Sequence, residues 1–172
     1  MFLHPGGFSR QVWDEQVDRF AASHRVVRSD ARGHGDSPGP VPGFSHHDDL
    51  RQLLDALGIE SAVLVGSSLG SRTAADFALV HPNRVDGLVL TSPGLSGMVE
   101  RDPFTLEQRR QAGAARTLVI TGTLDTADIH EIADLIAREA PDARQVSIEG
   151  AGHQVNVEQP ARFGELLDEF LA

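Results

Sequence analysis

The sequence predicts an α/β protein: a mostly parallel sheet of about six strands with helices on both faces. Two observations lead to this prediction. Short β-branched and apolar runs at 62–65, 117–121 and 146–148 have the composition of buried strands. Segments rich in helix formers lie between such runs. Strands that alternate with helices pair in parallel, because each crossover helix packs back onto the sheet.

The expected elements follow one another with short connections. In chain order they are strand 2–4, helix 10–22, strand 25–29, helix 45–57, strand 62–66, helix 69–80, strand 85–91, short helix 103–112, strand 117–121, helix 128–139, strand 144–148 and helix 160–171. Asp102 and Pro103 predict the short helix, because they suit an N-cap and a first turn. Trp13 is expected to hold the first helix against the sheet. With 172 residues, the chain is expected to form a single domain, 1–172.

The composition argues against several classes of partner. The formal net charge is −10, from 15 basic and 25 acidic residues, which disfavours nucleic acid and anionic membrane surfaces. The sequence has no cysteine, so disulfides and cysteine catalysis are excluded. No apolar run approaches the roughly 20 residues of a membrane span, and Met1 to Pro5 is too short for a signal peptide. We therefore expect a cytoplasmic protein that acts on a small molecule, without nucleic-acid or membrane partners.

The most informative stretch is 66–70, which reads Gly-Ser-Ser-Leu-Gly and ends a predicted strand. A G-x-S-x-G pattern between a strand and a helix is typical of a nucleophile elbow, a sharp turn that holds a serine out from the fold. The turn needs small neighbours, and glycine supplies them on both sides of Ser68. Ser68 is therefore the candidate nucleophile; the alternative is an ordinary serine in a glycine-rich turn.

A nucleophilic serine needs a base, and the base needs an acid to orient it. Asp125 comes just after the strand 117–121, and His153 comes shortly after the strand 144–148. Side chains at the carboxyl ends of parallel strands can converge, because ligands bind along that edge of the sheet. We therefore expect a hydrogen-bonded chain from Ser68 through His153 to Asp125.

Other residues are weaker candidates for these roles. Asp30 and Asp36 could orient a base, and Asp128 is the nearest substitute for Asp125. His34 lies in a glycine-rich turn, where packing within the loop is the favoured interpretation over catalysis. The run His-His-Asp-Asp at 46–49 looks like a set of metal ligands, but consecutive helical residues point in different directions. We interpret it as a solvated helix start and expect no metal site.

Further motifs accompany these residues. The chain reads His-Pro-Gly-Gly-Phe-Ser at 4–9, Asp-Ala-Arg-Gly-His-Gly-Asp-Ser at 30–37, His-Pro-Asn-Arg-Val at 81–85 and Gly-Ala-Gly-His at 150–153. Together with the elbow, these motifs resemble the α/β-hydrolase superfamily over nearly the whole chain. The resemblance implies that the first predicted strand lies between the second and the third, and that the later strands follow in chain order. The chain is also somewhat similar to enol-lactonases and to small cofactor-free esterases.

The resemblance implies a serine hydrolase of carboxylic esters or lactones that forms an acyl-enzyme on Ser68. It also implies that backbone N–H groups of Leu69 and of Gly6 or Gly7 form the oxyanion hole. Pro5 stands where the family usually has glycine and supplies no N–H, so the hole would rely on Gly6. No cofactor is expected. A rival interpretation is a non-catalytic fold-mate, either a ligand-binding or scaffolding protein or a truncated, inactive remnant.

Two departures from the family pattern add expectations. Members usually begin with two more strands before the oxyanion loop than this chain has. They also commonly have a long helical cap where this chain has only 92–115, a vestigial cap segment. With little chain to cover the site, we expect modest turnover of short, activated esters and low selectivity. Without the first strands, the strand 25–29 lies at the sheet edge, and we expect a homo-oligomer that forms through this edge.

Overall fold

The computed structural model describes residues 1–94 and 115–172. Six strands of these residues form a sheet in the order β2-β1-β3-β4-β5-β6, and every neighbouring pair is parallel. The strands are β1 (Phe2–Leu3), β2 (Arg28–Ser29), β3 (Ala62–Ser67), β4 (Val85–Thr91), β5 (Thr117–Gly122) and β6 (Ala143–Ile148). The predicted parallel sheet and the strand order implied by the resemblance are therefore confirmed.

Helices connect the strands as predicted, with shifts at their ends. They are α1 (Asp14–Phe20), α2 (His46–Ala56), α3 (Leu69–Val80), α4 (Ala127–Glu139), α5 (Val155–Glu158) and α6 (Pro160–Leu171). A 3-10 turn, Arg10–Trp13, replaces the start of the predicted first helix. The sequence does not predict α5, because its 4 residues are too few to show a period. The predicted short helix 103–112 lies outside the described residues, as does most of the cap segment 92–115.

The strand predicted at 25–29 is shorter than expected. Only Arg28–Ser29 forms a ladder with β1, and Phe2 lies opposite Arg28 in that ladder. In this parallel register, residues 25–26 extend past β1 and have no strand residue opposite them. Val27 remains in contact, because its carbonyl accepts the Phe2 N–H at 2.8 Å. β2 lies at the sheet edge as expected, and self-association through this edge stays a prediction.

Alternate residues of the strands point to opposite faces of the sheet, and each face has its own core. The core under α1 and α6 is rich in aromatic and β-branched side chains, among them Phe2, Trp13, Phe20, Val65, Val89, Ile120, Phe163 and Phe170. The core under α2 and α3 is rich in leucine and contains Leu3, Leu50, Leu54, Leu64, Phe77, Leu88 and Leu90. Trp13 is fully buried between the rings of Phe2 and Phe163, at centroid distances of 5.1 and 6.0 Å. This confirms its predicted place in the core.

Because the strands all run in one direction, their carboxyl ends lie along the same edge of the sheet. The turns after β1, β3, β5 and β6 meet at this edge, which is where parallel sheets bind ligands. These turns carry Gly6, Ser68, Asp125 and His153. No helix in the described part of the chain is long and apolar enough to cross a membrane.

Candidate active site

Ser68 occupies the sharp turn between β3 and α3. It is the N-cap residue of α3, with φ of 50° and ψ of −107°, and a positive φ is uncommon for a residue other than glycine. Its N–H donates to the Thr91 carbonyl at 3.0 Å, and its own carbonyl accepts the Arg72 N–H at 3.0 Å. Backbone strain of this kind persists only where the surrounding structure enforces it, and it is concentrated at functional sites.

The two glycines of the elbow allow α3 to approach both β3 and β1 closely. A Cβ at Gly66 would overlap backbone atoms of Gly70 and Ser71, and a Cβ at Gly70 would overlap the carbonyl oxygen of Leu3. Both obstacles are backbone, so neither can rotate away as a side chain could. Ser71 adds a buried connection to β4, since its Oγ accepts the Thr91 N–H at 3.0 Å. Close packing therefore fixes the turn.

Asp125 and His153 form a hydrogen-bonded pair across the turns after β5 and β6. His153 Nδ1 lies 3.0 Å from Asp125 Oδ1 and 3.1 Å from Oδ2. The Asp125 side chain is buried, and its Oδ1 also accepts the Thr126 N–H at 2.8 Å. Because a carboxylate accepts, His153 Nδ1 carries the proton, which leaves the lone pair on Nε2. His153 is thus in the tautomer that a general base requires.

Two residues that the sequence analysis did not select hold the His153 backbone. The Glu158 carboxylate accepts the N–H of Gly152 at 2.7 Å and the N–H of Gln154 at 2.9 Å, which are the residues on either side of the histidine. The Ser92 hydroxyl donates to the His153 carbonyl at 2.8 Å. The only sequence signal for Glu158 is its position five residues after His153, and Ser92 shows none.

The end of β4 connects the serine to the histidine. Thr91 accepts the Ser68 N–H, and the adjacent Ser92 binds the His153 carbonyl. Between Ser68 and His153 themselves, both of which are described, there is no side-chain hydrogen bond. The expected chain is therefore present from Asp125 to His153 and absent from His153 to Ser68. Contacts between nucleophile and base are often long without substrate and tighten when it binds.

Two of the residues predicted to supply the oxyanion donors, Gly6 and Leu69, lie close together. A Cβ built on Gly6 would be 3.8 Å from the Leu69 Cβ, so the turn after β1 reaches the start of α3. Leu69 is the first residue of α3, where backbone N–H groups have no acceptor within the helix. Gly7 has φ of 77°, which favours glycine at this position of the turn.

His4 connects this turn to the residues that follow β2. Its Nε2 accepts the Ala31 N–H at 2.8 Å, so its Nδ1 carries the proton and donates to the Pro5 carbonyl at 2.8 Å. The ring is buried, and burial lowers the pKa of His4 below its ordinary value of 6.5. His4 therefore favours the neutral form that both hydrogen bonds require.

Asp30 anchors the same region and does not contact His153. It accepts the backbone N–H of Arg10 at 2.6 Å and that of Asp36 at 3.1 Å, and it forms an ion pair with the Arg10 guanidinium. Burial alone would raise the pKa of the Asp30 carboxyl, but these backbone donors and the Arg10 charge outweigh it and lower the pKa. Asp30 therefore has a structural role: its ionised carboxylate holds the backbone of Arg10 and Asp36 in place.

The remaining alternatives are also engaged elsewhere. Asp36 pairs with Arg10 at 2.8 Å. His34 Nδ1 donates to the Arg32 carbonyl at 3.2 Å, in line with the expected packing within the loop. A hydrogen bond from Thr126 lowers the pKa of Asp128, and no hydrogen bond joins Asp128 to His153, both of which the structure describes.

An open groove lies beside the oxyanion turn. Its volume is about 670 Å³, and it runs between the oxyanion turn, with Gly7 and Phe8, and α5, with Asn156 and Val157. Phe8 and Val157 are large apolar side chains that remain about half exposed, at 46% and 52%. A separate cavity of about 300 Å³ lies behind the oxyanion turn and is lined by His4 and Leu69 among others. Neither Ser68 nor His153 lines the groove or this cavity.

Comparison with known proteins shows the family to which the fold belongs. The family model for the alpha/beta hydrolase fold matches residues 1–115, and the chain therefore belongs to the α/β-hydrolase family. An N-acyl homoserine lactone degrading enzyme, Est816, superimposes with a TM-score of 0.85 and 27% identity over 98% of this chain and 91% of that one.

Two curated relatives each match about two thirds of the chain. One is a protein of Bacillus subtilis (strain 168), provisionally named 2-succinyl-6-hydroxy-2,4-cyclohexadiene-1-carboxylate synthase, with 33% identity over 117 residues. The other is the 2-hydroxy-6-oxononadienedioate/2-hydroxy-6-oxononatrienedioate hydrolase of Paraburkholderia phymatum, with 39% identity over 115 residues. The matches cover 64% and 62% of this chain, but only 42% and 40% of these relatives.

Proposed function

We propose that this protein is a serine hydrolase that cleaves a carboxylic ester or lactone through an acyl-enzyme on Ser68. The proposal depends mainly on one observation: a serine held at positive φ and a histidine paired with a buried aspartate lie at the same edge of the sheet in a protein of the α/β-hydrolase family. Each residue occupies the end of a different strand, and together they supply a nucleophile, a base and an acid that orients the base.

In the proposed reaction, Ser68 Oγ attacks the substrate carbonyl carbon. His153 Nε2 accepts the hydroxyl proton during the attack and later donates a proton to the leaving alcohol oxygen. Asp125 holds the imidazole in the required tautomer and stabilises its charged form. Water then attacks the acyl-enzyme with His153 again as the base, which releases the carboxylic acid and restores Ser68. These steps use no cofactor.

The backbone N–H groups of Leu69 and Gly6 are the proposed donors to the oxyanion. Each such donor contributes roughly 3–4 kcal/mol of transition-state stabilisation in well-organised sites. The Leu69 amide is well placed for this role, because the positive end of the α3 dipole adds to its effect.

Glu158 and Ser92 are proposed positioning residues. They do not touch the reacting atoms, but they hold the N–H groups and the carbonyl around His153 in place. An error of about 1 Å in the position of a catalytic group can cost on the order of 100-fold in rate. We therefore expect these two side chains to affect turnover more than substrate binding.

Esters and lactones suit the surroundings of the site. Phe8 and Leu124, on the turns after β1 and β5, and Val157, in α5, are exposed apolar side chains that can contact an apolar acyl or alcohol group. The lactone-degrading activity named for Est816 supports a lactone as one candidate substrate. The hydrolase of Paraburkholderia phymatum supports hydrolytic chemistry more generally.

The test compares two adjacent serines. Ser68→Ala removes the proposed nucleophile, whereas Ser67→Ala removes a buried hydroxyl that has no hydrogen-bond partner in the described chain. Hydrolysis is measured with p-nitrophenyl esters of increasing acyl length and with simple lactones. We expect Ser68→Ala to lose turnover while it stays folded by circular dichroism, and Ser67→Ala to keep it.

Two results would contradict the proposal. If Ser68→Ala kept most of the activity, Ser68 would not be the nucleophile. Alternatively, the folded wild-type protein could turn over none of these substrates and resist acylation, which would favour the non-catalytic fold-mate.

A further inference from the structure

A second cluster of polar side chains lies where the start of α2 meets the end of α3. His47 and Asp48 belong to the first turn of α2, and His81 is the C-cap residue of α3. One donor atom from each of these three residues lies within 4.8 Å of the other two. In particular, His47 Nδ1 is 3.9 Å from Asp48 Oδ1. Two imidazoles and one carboxylate thus face a common point.

Both imidazoles have a buried nitrogen without a partner. His47 Nδ1 and His81 Nε2 are inaccessible to solvent and make no hydrogen bond within the described residues. Buried polar atoms in native proteins are normally paired, so an unpaired nitrogen on each of two neighbouring rings calls for an explanation. A bound ion that accepts both lone pairs would explain the two atoms together.

The donor atoms are held by contacts outside the cluster. The Ser45 hydroxyl donates to Asp48 Oδ2 at 2.9 Å, which leaves Oδ1 free to face His47. The His81 ring packs on Phe77, a fully buried residue, with the ring centroids 5.0 Å apart. Such outer contacts orient ligands at known metal sites.

The nearby positive charges have partners of their own. Arg51 and Arg84 both pair with Asp55, each at 2.9 Å, and Arg84 also donates to the Ile59 carbonyl at 2.8 Å. Arg51 and Arg84 share one carboxylate, so together with Asp55 they carry a net charge of about +1. Asp48 adds one negative charge, which brings the group close to neutral. This charge offsets part of the repulsion that a cation would meet.

We propose that His47 Nδ1, His81 Nε2 and Asp48 Oδ1 bind a divalent transition-metal ion such as Zn²⁺, with water completing the coordination. Imidazole nitrogens favour zinc, nickel and copper, whereas calcium and magnesium prefer sites made only of oxygen. Zinc bonds of about 2.0–2.2 Å require the three donors to move closer together. Small side-chain rotations at two helix ends can supply that movement.

The proposed metal site is remote from the proposed catalytic residues. Ser68 and His81 cap opposite ends of α3, which has 12 residues. At about 1.5 Å per residue, the two ends of the helix are roughly 18 Å apart. A metal there would not reach the reacting atoms, but it would connect α2 to the end of α3. It would stabilise the folded chain, because the unfolded chain does not bring the three donors together.

The sequence alone could not reveal this group. The run at 46–49 contains possible ligands, but the side chains of consecutive helical residues point in different directions. The third ligand, His81, lies more than thirty residues later in the sequence. Only the packing of α2 against α3 brings His81 to His47. The proposal does not depend on the hydrolase activity, and its test uses no substrate.

The test uses tag-free protein that is treated with EDTA and then dialysed. ZnCl₂ is titrated by isothermal calorimetry, CoCl₂ by visible absorption, and the melting temperature is followed with increasing ZnCl₂. We expect a single saturable site and a melting temperature that rises with zinc. In His47→Gln and His81→Gln, affinity should fall at least about tenfold and the thermal shift should disappear.

His24→Gln is the matched control, because His24 is exposed and lies outside the cluster. This variant should bind zinc like the wild type. If His81→Gln proves unstable, His47→Gln decides the question, since His47 is only partly buried and lies in the first turn of α2. Absence of saturable binding in the wild type, or unchanged binding in a folded His47→Gln, would overturn the proposal.

Discussion

The two halves of the candidate active site are built in different ways. We call residues 66–71 the nucleophile turn and residues 149–158 the histidine loop. The nucleophile turn is held by close contact of backbone with backbone, which only glycine permits at Gly66 and Gly70. The histidine loop is held by side chains, since Asp125, Glu158 and Ser92 each bind His153 or its neighbours.

This difference shows how each half responds to change. A side chain added at Gly66 or Gly70 would overlap backbone atoms that cannot rotate away, so the free energy of unfolding should fall. A side chain removed from the histidine loop leaves the fold largely intact but loosens the position of His153. Substitutions in the nucleophile turn should therefore mainly lower the stability of the fold, whereas substitutions in the histidine loop should mainly lower turnover.

The largest effect is expected for Asp125→Asn. An amide in place of the buried carboxylate no longer selects the tautomer with the free Nε2, and turnover should fall about 10³–10⁴-fold. The matched variant Asp128→Asn should change turnover less than about threefold, because exposed carboxylates interact weakly. Steady-state kinetics of ester hydrolysis measure both variants. Similar losses in the two would show that Asp128 shares the role.

The next effect is expected for Gly70→Ala. The added methyl group overlaps the Leu3 carbonyl oxygen, so the free energy of unfolding should fall by about 3 kcal/mol. Urea denaturation measures this change. Gly39→Ala is the control, because nothing lies within 4 Å of a Cβ at that position. It should change stability by no more than about 0.5 kcal/mol. Equal stability of the two variants would contradict the packing argument.

A smaller effect is expected for Glu158→Gln. The amide keeps one acceptor oxygen but places an NH₂ group against a backbone N–H, so the histidine loop should shift. We expect kcat to fall about tenfold with little change in KM, because the loop orients the base and does not bind substrate. Glu165→Gln is the control: Glu165 is an exposed residue of α6 that pairs with Arg162 at 2.9 Å. A rise in KM alone would argue against a positioning role.

The smallest effect concerns pH and His4. Burial lowers the pKa of this residue, so the unfolded chain takes up the proton first as the pH falls through 6.5. Stability attributable to His4 is therefore complete above pH 6.5 and decreases as the pH drops below it. The urea midpoint of the wild type should fall more steeply from pH 7.5 to 5.5 than that of His4→Gln. Parallel curves would show that His4 protonation is not linked to folding.

The same comparison explains what the sequence could predict. The nucleophile turn is a local pattern, and five consecutive residues between a strand and a helix were enough to select Ser68. Asp125 and His153 could be selected because each follows a strand end. Glu158 and Ser92 could not be selected, because their role depends on contacts with the backbone of the histidine loop. Those contacts exist only once the chain has folded. The length of the strand predicted at 25–29 was wrong for a similar reason, since pairing depends on the register with β1.

Covalent labelling tests directly whether Ser68 is the nucleophile. The wild-type protein, Ser68→Ala and Ser67→Ala are incubated with a fluorophosphonate, both folded and after boiling, and are then examined by intact mass and peptide mapping. We expect one adduct on Ser68 in the folded wild type and in Ser67→Ala, and none in Ser68→Ala or after boiling. A folded wild-type protein that stays unlabelled, or a label that maps to another residue, would contradict this expectation.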